Sequence, residues 1–170
     1  RAQELIEGWI EQNTRWGEIS WRPDIVGERI MNWLIYTPLV MDSMDVIYRG
    51  RVLDSLARSA RHLMKETVDI QDGPGALKAI AGLIIAGLYI PKGEVWLKEG
   101  SKRITFIIGK EVLVDGGIRS RNPQEQLHLF MKLYVLRQAY SEQSERAPDI
   151  LIQALGRMAS NLKKIVHGDG

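Results

Sequence analysis

The chain has 170 residues, 45% of them hydrophobic and 26% charged, with a formal net charge of +2. That length allows one domain with a real core, and so small a charge, with no basic stripe, argues against a nucleic-acid partner. The absence of cysteine excludes disulfides and thiolate metal sites.

Residues 3–13 place Leu5, Ile6, Trp9 and Ile10 on one face, the stripe of an amphipathic helix. "RWGEISW" breaks that pattern, and Pro23 suits a first helical position. From Asp24, the residues Ile25, Val26, Arg29, Ile30, Trp33 and Leu34 recur at helical spacing, and Pro38 ends or kinks that helix. A long segment from about Asp42 to Lys65 follows, with Val46, Leu53, Leu56, Ala60 and Leu63 as its apolar seam and arginines opposite. "DIQDGPG" reads as a loop, with Asp72 a candidate cap and Pro74 a first-turn residue. Residues 76–89 are apolar nearly all round, which predicts a central helix. The longest apolar run, "AIAGLIIAGLYIP", falls short of the roughly 20 residues a membrane span needs.

The next segment, about Glu94 to Val114, carries conflicting signals. The β-branched content of "RITFIIGKEVLV" favours a strand. The spacing of Ile104, Ile107, Ile108 and Val112 favours a helix, and helix is the reading taken. Two further helices span about Pro123 to Ser141 and Pro148 to Val166. About seven helices on short loops predict an all-α fold of antiparallel hairpins. No strict repeat is visible.

"VDGGIRSRNP", residues 114–123, lies between two of these helices. Asp115-Gly116-Gly117 suits a helix stop, and Ser120 or Asn122 suits a cap before Pro123. Arg119 and Arg121 are left over: two cations beside a helix N-terminus, where anions are already favoured.

Four phrases in order, "ELIEGWIEQN", "SWRPDIVGERIMNWL", "GALKAIAGLIIAGLYIP" and "LVDGGIRSRNP", followed by "LRQAY" and "HGDG", resemble the helical part of bacterial heparinase II/III family proteins. The most specific pieces are Arg29-x-x-Asn32-Trp33 and the run from Asp115 to Pro123. The resemblance implies an incomplete (α/α) toroid spanning residues 1–170. It also implies that the chain is part of a longer protein, with a β-sandwich domain beyond Gly170. The implied activity is β-elimination on uronic-acid polysaccharides, sulfated ones included. The partner is then an anionic polysaccharide, and no cofactor or metal is implied. The compartment, periplasmic or cytoplasmic, is left open.

Such a reaction needs three things. The uronate carboxylate must be neutralised, a base must take the C5 proton, and a group must protonate the leaving oxygen. Arg29, Asn32, Trp33, Arg119, Arg121 and Asn122 are the candidate substrate-binding residues, and Glu125 and His167 the candidate proton-transfer groups. Three positions depart from the family pattern. Glu125 stands where related lyases place a tyrosine, Ile118 where many place a histidine, and Ala76 where an Asn-His pair often opens the helix. His62 is expected at the surface and His128 in a structural role. Among Trp9, Trp16 and Trp21, core packing is expected for Trp9, and one of the three is a candidate sugar platform. The rival to a lyase is a toroid that binds sugar, or serves as a structural or interaction module, without the base.

Overall fold

The computed structural model describes residues 2–42, 45–67 and 73–165. Eight helices are present among them: α1 (Ala2–Gln12), α2 (Pro23–Ile35), α3 (Thr37–Val40), α4 (Val46–Glu66), α5 (Pro74–Tyr89), α6 (Glu94–Glu111), α7 (Pro123–Glu142) and α8 (Asp149–Ile165). Seven are full-length and one is a single turn. That short helix, α3, follows α2 across the break at Tyr36 and has Pro38 in its first turn. Asp45 caps α4, its carboxylate accepting from the Ile47 and Tyr48 amides at 2.8 and 3.2 Å. The candidate cap Asp72 lies outside the described residues.

The helices form three antiparallel hairpins. In α2/α4, Arg29 Nη2 donates to Ser59 Oγ at 3.2 Å, and His62 Nε2 lies 2.7 Å from the Trp21 carbonyl. In α5/α6, Gly87 packs on Leu97 and Gly100 on Ile84. In α7/α8, Gln126 Nε2 donates to Asn161 Oδ1 at 2.9 Å. The leading helices α2, α5 and α7 run parallel to one another. Glu28 of α2 lies 3.3 Å from Lys78 of α5 and 3.4 Å from Lys132 of α7. At the opposite end, Tyr89 Oη donates to Glu142 at 2.5 Å. This arrangement is an incomplete α/α toroid. Because the three run parallel, their N-termini, each begun by a proline, gather at one end.

α5 is the axle. Ala76, Leu77 and Ala79 through Ala86 are all buried, each Ile or Leu contributing about 1.5–3 kcal/mol by leaving water. α2 crosses it so closely that a Cβ on Gly27 would overlap the Lys78 carbonyl, and one on Gly82 would overlap Gly27. Only glycine fits at that crossing.

Two expectations need correction. The segment read as helical from about Glu94 to Val114 is helical only to Glu111. Val112 turns extended and pairs in an antiparallel bridge with Ile118, because the turn at Asp115–Gly117 folds the chain back on itself. His62 is not a surface residue. Its side chain is 16% exposed and lies edge-on to Trp21 with ring centroids 5.2 Å apart.

Candidate functional site

The run from Asp115 to Asn122 spends most of its polar groups on its own shape. Asp115 accepts from the Gly117 amide at 3.0 Å and from Arg121 Nη1 at 2.5 Å. The guanidinium hydrogen bond is the main reason the Asp115 carboxyl is held below the ordinary carboxylate range, with the Gly117 amide second. Gly116 has φ +83°, and a Cβ there would overlap the Arg157 carbonyl of α8. Asn161 Nδ2 donates to the Asp115 carbonyl at 3.0 Å, and Gln126 Nε2 to that of Gly116 at 3.2 Å. Arg119 pairs with the buried Glu111 at 3.8 Å. Asn122 caps α7, its side-chain oxygen accepting from the amides of Gln124 and Glu125 at 3.0 and 3.3 Å. Both arginines therefore face carboxylates. Ile118 and Ala76 are buried apolar residues, so neither of those departures presents a group to solvent.

Beside this loop, the N-terminal turns of α5 and α7 enclose a pocket of about 220 Å³. Lys78, Asn122, Glu125, His128 and Lys132 supply its polar walls. Lys78 and Lys132 share one carboxylate, Glu28. Glu125 accepts a hydrogen bond from the Ser120 hydroxyl. α5 starts at Gly73 with no side-chain cap, which leaves its first amides pointing at the same end and favouring negative charge there.

Glu28 also borders a second depression of about 440 Å³, lined by Trp9, Arg29, Asn32 and Trp33 among others. Asn32 is exposed there. Trp33 is half-buried and edge-on to Trp9, with ring centroids 5.4 Å apart. Arg29 acts as a strut: Nη1 donates to the Ser20 carbonyl at 2.8 Å and its guanidinium lies 4.0 Å from the Trp9 ring centroid. Burial pushes its pKa down to about 10, so it remains charged at neutral pH.

The two depressions bring together Arg29, Asn32 and Trp33 on one side of Glu28, and Asn122 and Glu125 on the other. Arg119 and Arg121 do not line either. His167 lies outside the described residues. Lys78, His128 and Lys132 belong to no motif. The sequence holds two traces of them: Lys78 is the single charged residue of α5, and Glu125, His128 and Lys132 fall on one face of α7 by helical spacing. Trp21 is buried, whereas Trp16 is 70% exposed. Among the described residues there is no group of three or more His, Asp or Glu that could hold a metal, and no helix long and apolar enough to cross a membrane.

No family model matches the chain. It is 28% identical over 173 residues to FtsZ-localized protein C of Caulobacter vibrioides, a similarity that takes in all of this chain and 29% of that protein. Among solved structures, the crystal structure of heparinase III aligns with a TM-score of 0.72 at 16% identity, over 93% of this chain and 27% of that one. The chain thus spans under a third of the length of either. The structural likeness establishes the fold, a heparinase-like helical toroid.

Proposed function

We propose that this toroid is the helical part of a polysaccharide lyase that cleaves uronic-acid polymers by β-elimination. The observation that carries the reading is one pocket holding two lysines, a histidine and a carboxylate at the gathered N-terminal ends of α5 and α7. Lys78 and Lys132 neutralise the uronate carboxylate, so that charge developing at C5 is tolerated. Glu125 and His128 are within the same walls to take the C5 proton and to protonate the leaving oxygen as the C4–O bond breaks. His167 is a further candidate for either transfer. The volume suits a single sugar ring. Trp33 and Asn32, across Glu28, offer the neighbouring ring an aromatic edge and an amide. Arg119, Arg121 and the Asn122 cap shape the lip.

The reading includes a β-sandwich domain after the toroid that completes the site. The test is the ultraviolet absorbance of unsaturated uronate when the intact protein meets heparan sulfate, alginate or hyaluronan. Product from one of them, lost on His128→Ala or Lys132→Ala, supports the proposal. Saturable binding of the polymers with no product would leave a sugar-binding toroid and end the lyase reading. The 170-residue chain alone is expected to give no product, and product from it would remove the role assigned to the second domain.

The likeness to FtsZ-localized protein C favours a second reading, in which the toroid serves as an interaction module at the site of FtsZ. A fluorescent fusion that fails to follow FtsZ in dividing cells would remove it.

A further inference from the structure

The 13–21 loop, α4 and α6 enclose a third depression, of about 560 Å³. Its apolar surface comes from Trp16, Met64 and Trp96, and its charge from Arg58, Arg61 and Lys65. We infer that this depression is a docking site for an acidic peptide that carries an apolar side chain.

Trp16 is 70% exposed, a large apolar area left in water at the rim. Met64 and Trp96 are half-buried against the core and form a fixed floor. The three cations recur at spacings of three and four residues, which puts them on one side of α4. They span about 10 Å along the helix, the reach of about three residues of extended peptide. Arg58 Nη1 donates to the Thr14 carbonyl at 3.3 Å, tying the loop that carries Trp16 to the helix that carries the charge. Among the described residues neither Arg61 nor Lys65 has an ion-pair partner.

The lining also separates peptide from sugar. No carboxylate or side-chain amide borders the depression. Sugar hydroxyls are donors as well as acceptors, and would find few side-chain acceptors here. Carboxylates only accept, and cationic donors meet them. The apolar floor then calls for an apolar side chain between the acids.

The experiment is an array of synthetic eight-residue peptides in which Asp or Glu alternates in varied register with Phe or Leu, probed with the intact protein. Peptides selected there are then labelled with fluorescein and titrated with the protein while their fluorescence anisotropy is followed. The expected result is binding that falls at least tenfold in Arg61→Ala/Lys65→Ala, and likewise in Trp16→Ala. Lys78→Ala/Lys132→Ala, which alters the pocket between α5 and α7 and not this depression, should leave it unchanged. Arg61→Glu/Lys65→Glu should lose the acidic peptides and gain their Lys-substituted counterparts, which controls for misfolding. Three results would overturn the inference: no peptide bound by the wild-type protein, binding indifferent to Arg61 and Lys65, or a uronate oligosaccharide displacing the peptide from this face.

Discussion

Two clusters of cations lie near the N-terminus of α7, and they are used differently. In the loop, Arg119 faces Glu111 and Arg121 faces Asp115, one carboxylate to each guanidinium. In the pocket, Lys78 and Lys132 divide a single carboxylate, Glu28, and open onto space shared with His128 and Glu125. The loop's charges are spent on shaping the turn that follows α6. The pocket's charges are incompletely matched and reachable. A conspicuous motif can thus be scaffold, while the proposed chemistry falls to residues with no motif at all.

That contrast is open to direct attack. The largest expected effect is on the scaffold side. Gly116→Ala adds a Cβ where φ is +83° and the Arg157 carbonyl is already in the way. Urea unfolding should register a loss of about 2–5 kcal/mol. A loss below 1 kcal/mol would mean the loop is not locked against α8. On the pocket side, Lys78→Ala/Lys132→Ala should lower kcat/KM for uronate elimination by about 100-fold or more, the scale of removing a preorganised electrostatic partner. The melting temperature should shift little, since both side chains are partly exposed. Equal damage to rate and stability would erase the distinction between the two regions.

Smaller effects sharpen it. Arg121→Ala breaks an exposed ion pair and should move the melting temperature by about 2 °C or less, with saccharide affinity unchanged. A tenfold loss of affinity there would move the anion site back to the loop. The smallest effect is on acid stability. Asp115 has a depressed pKa in the folded state, so its contribution is present above the unfolded value of about 3.9 and is lost as pH falls through the lower folded value. Asp115→Asn should therefore lessen the fall in the urea midpoint between about pH 5 and 3. An unchanged pH dependence in the variant would show that other carboxylates account for it.

The fold was largely legible in the residues because apolar periodicity and helix-starting prolines are local signals. α2 shows both, α5 and α7 show the proline, and α5 shows its central place by being apolar nearly all round. The end of α6 was not legible. Whether "VLVDGGI" continues a helix or folds back depends on Gly116 meeting α8, a contact more than 40 residues away in sequence. The loop motif could be seen because its residues are contiguous, yet nothing in it says that Asp115 and Glu111 absorb the arginines. The pocket was hidden for the opposite reason. Glu125, His128 and Lys132 share one face of α7 by helical spacing, but Lys78 joins them only through the parallel packing of α5 and α7. Arg29 illustrates a third case: it lines the second depression, and its hydrogen bonds, which helical spacing does not reveal, join α2 to α4 and to the loop before α2.

The most direct test follows the His128 ring protons by NMR while the intact protein is titrated with a glucuronate-containing tetrasaccharide at fixed salt. The expected result is a saturable shift of those resonances, with affinity at least tenfold weaker in Lys78→Ala/Lys132→Ala and unaltered in Arg119→Ala/Arg121→Ala. Affinity abolished by the arginine pair and indifferent to the lysine pair, with His128 silent throughout, would contradict it.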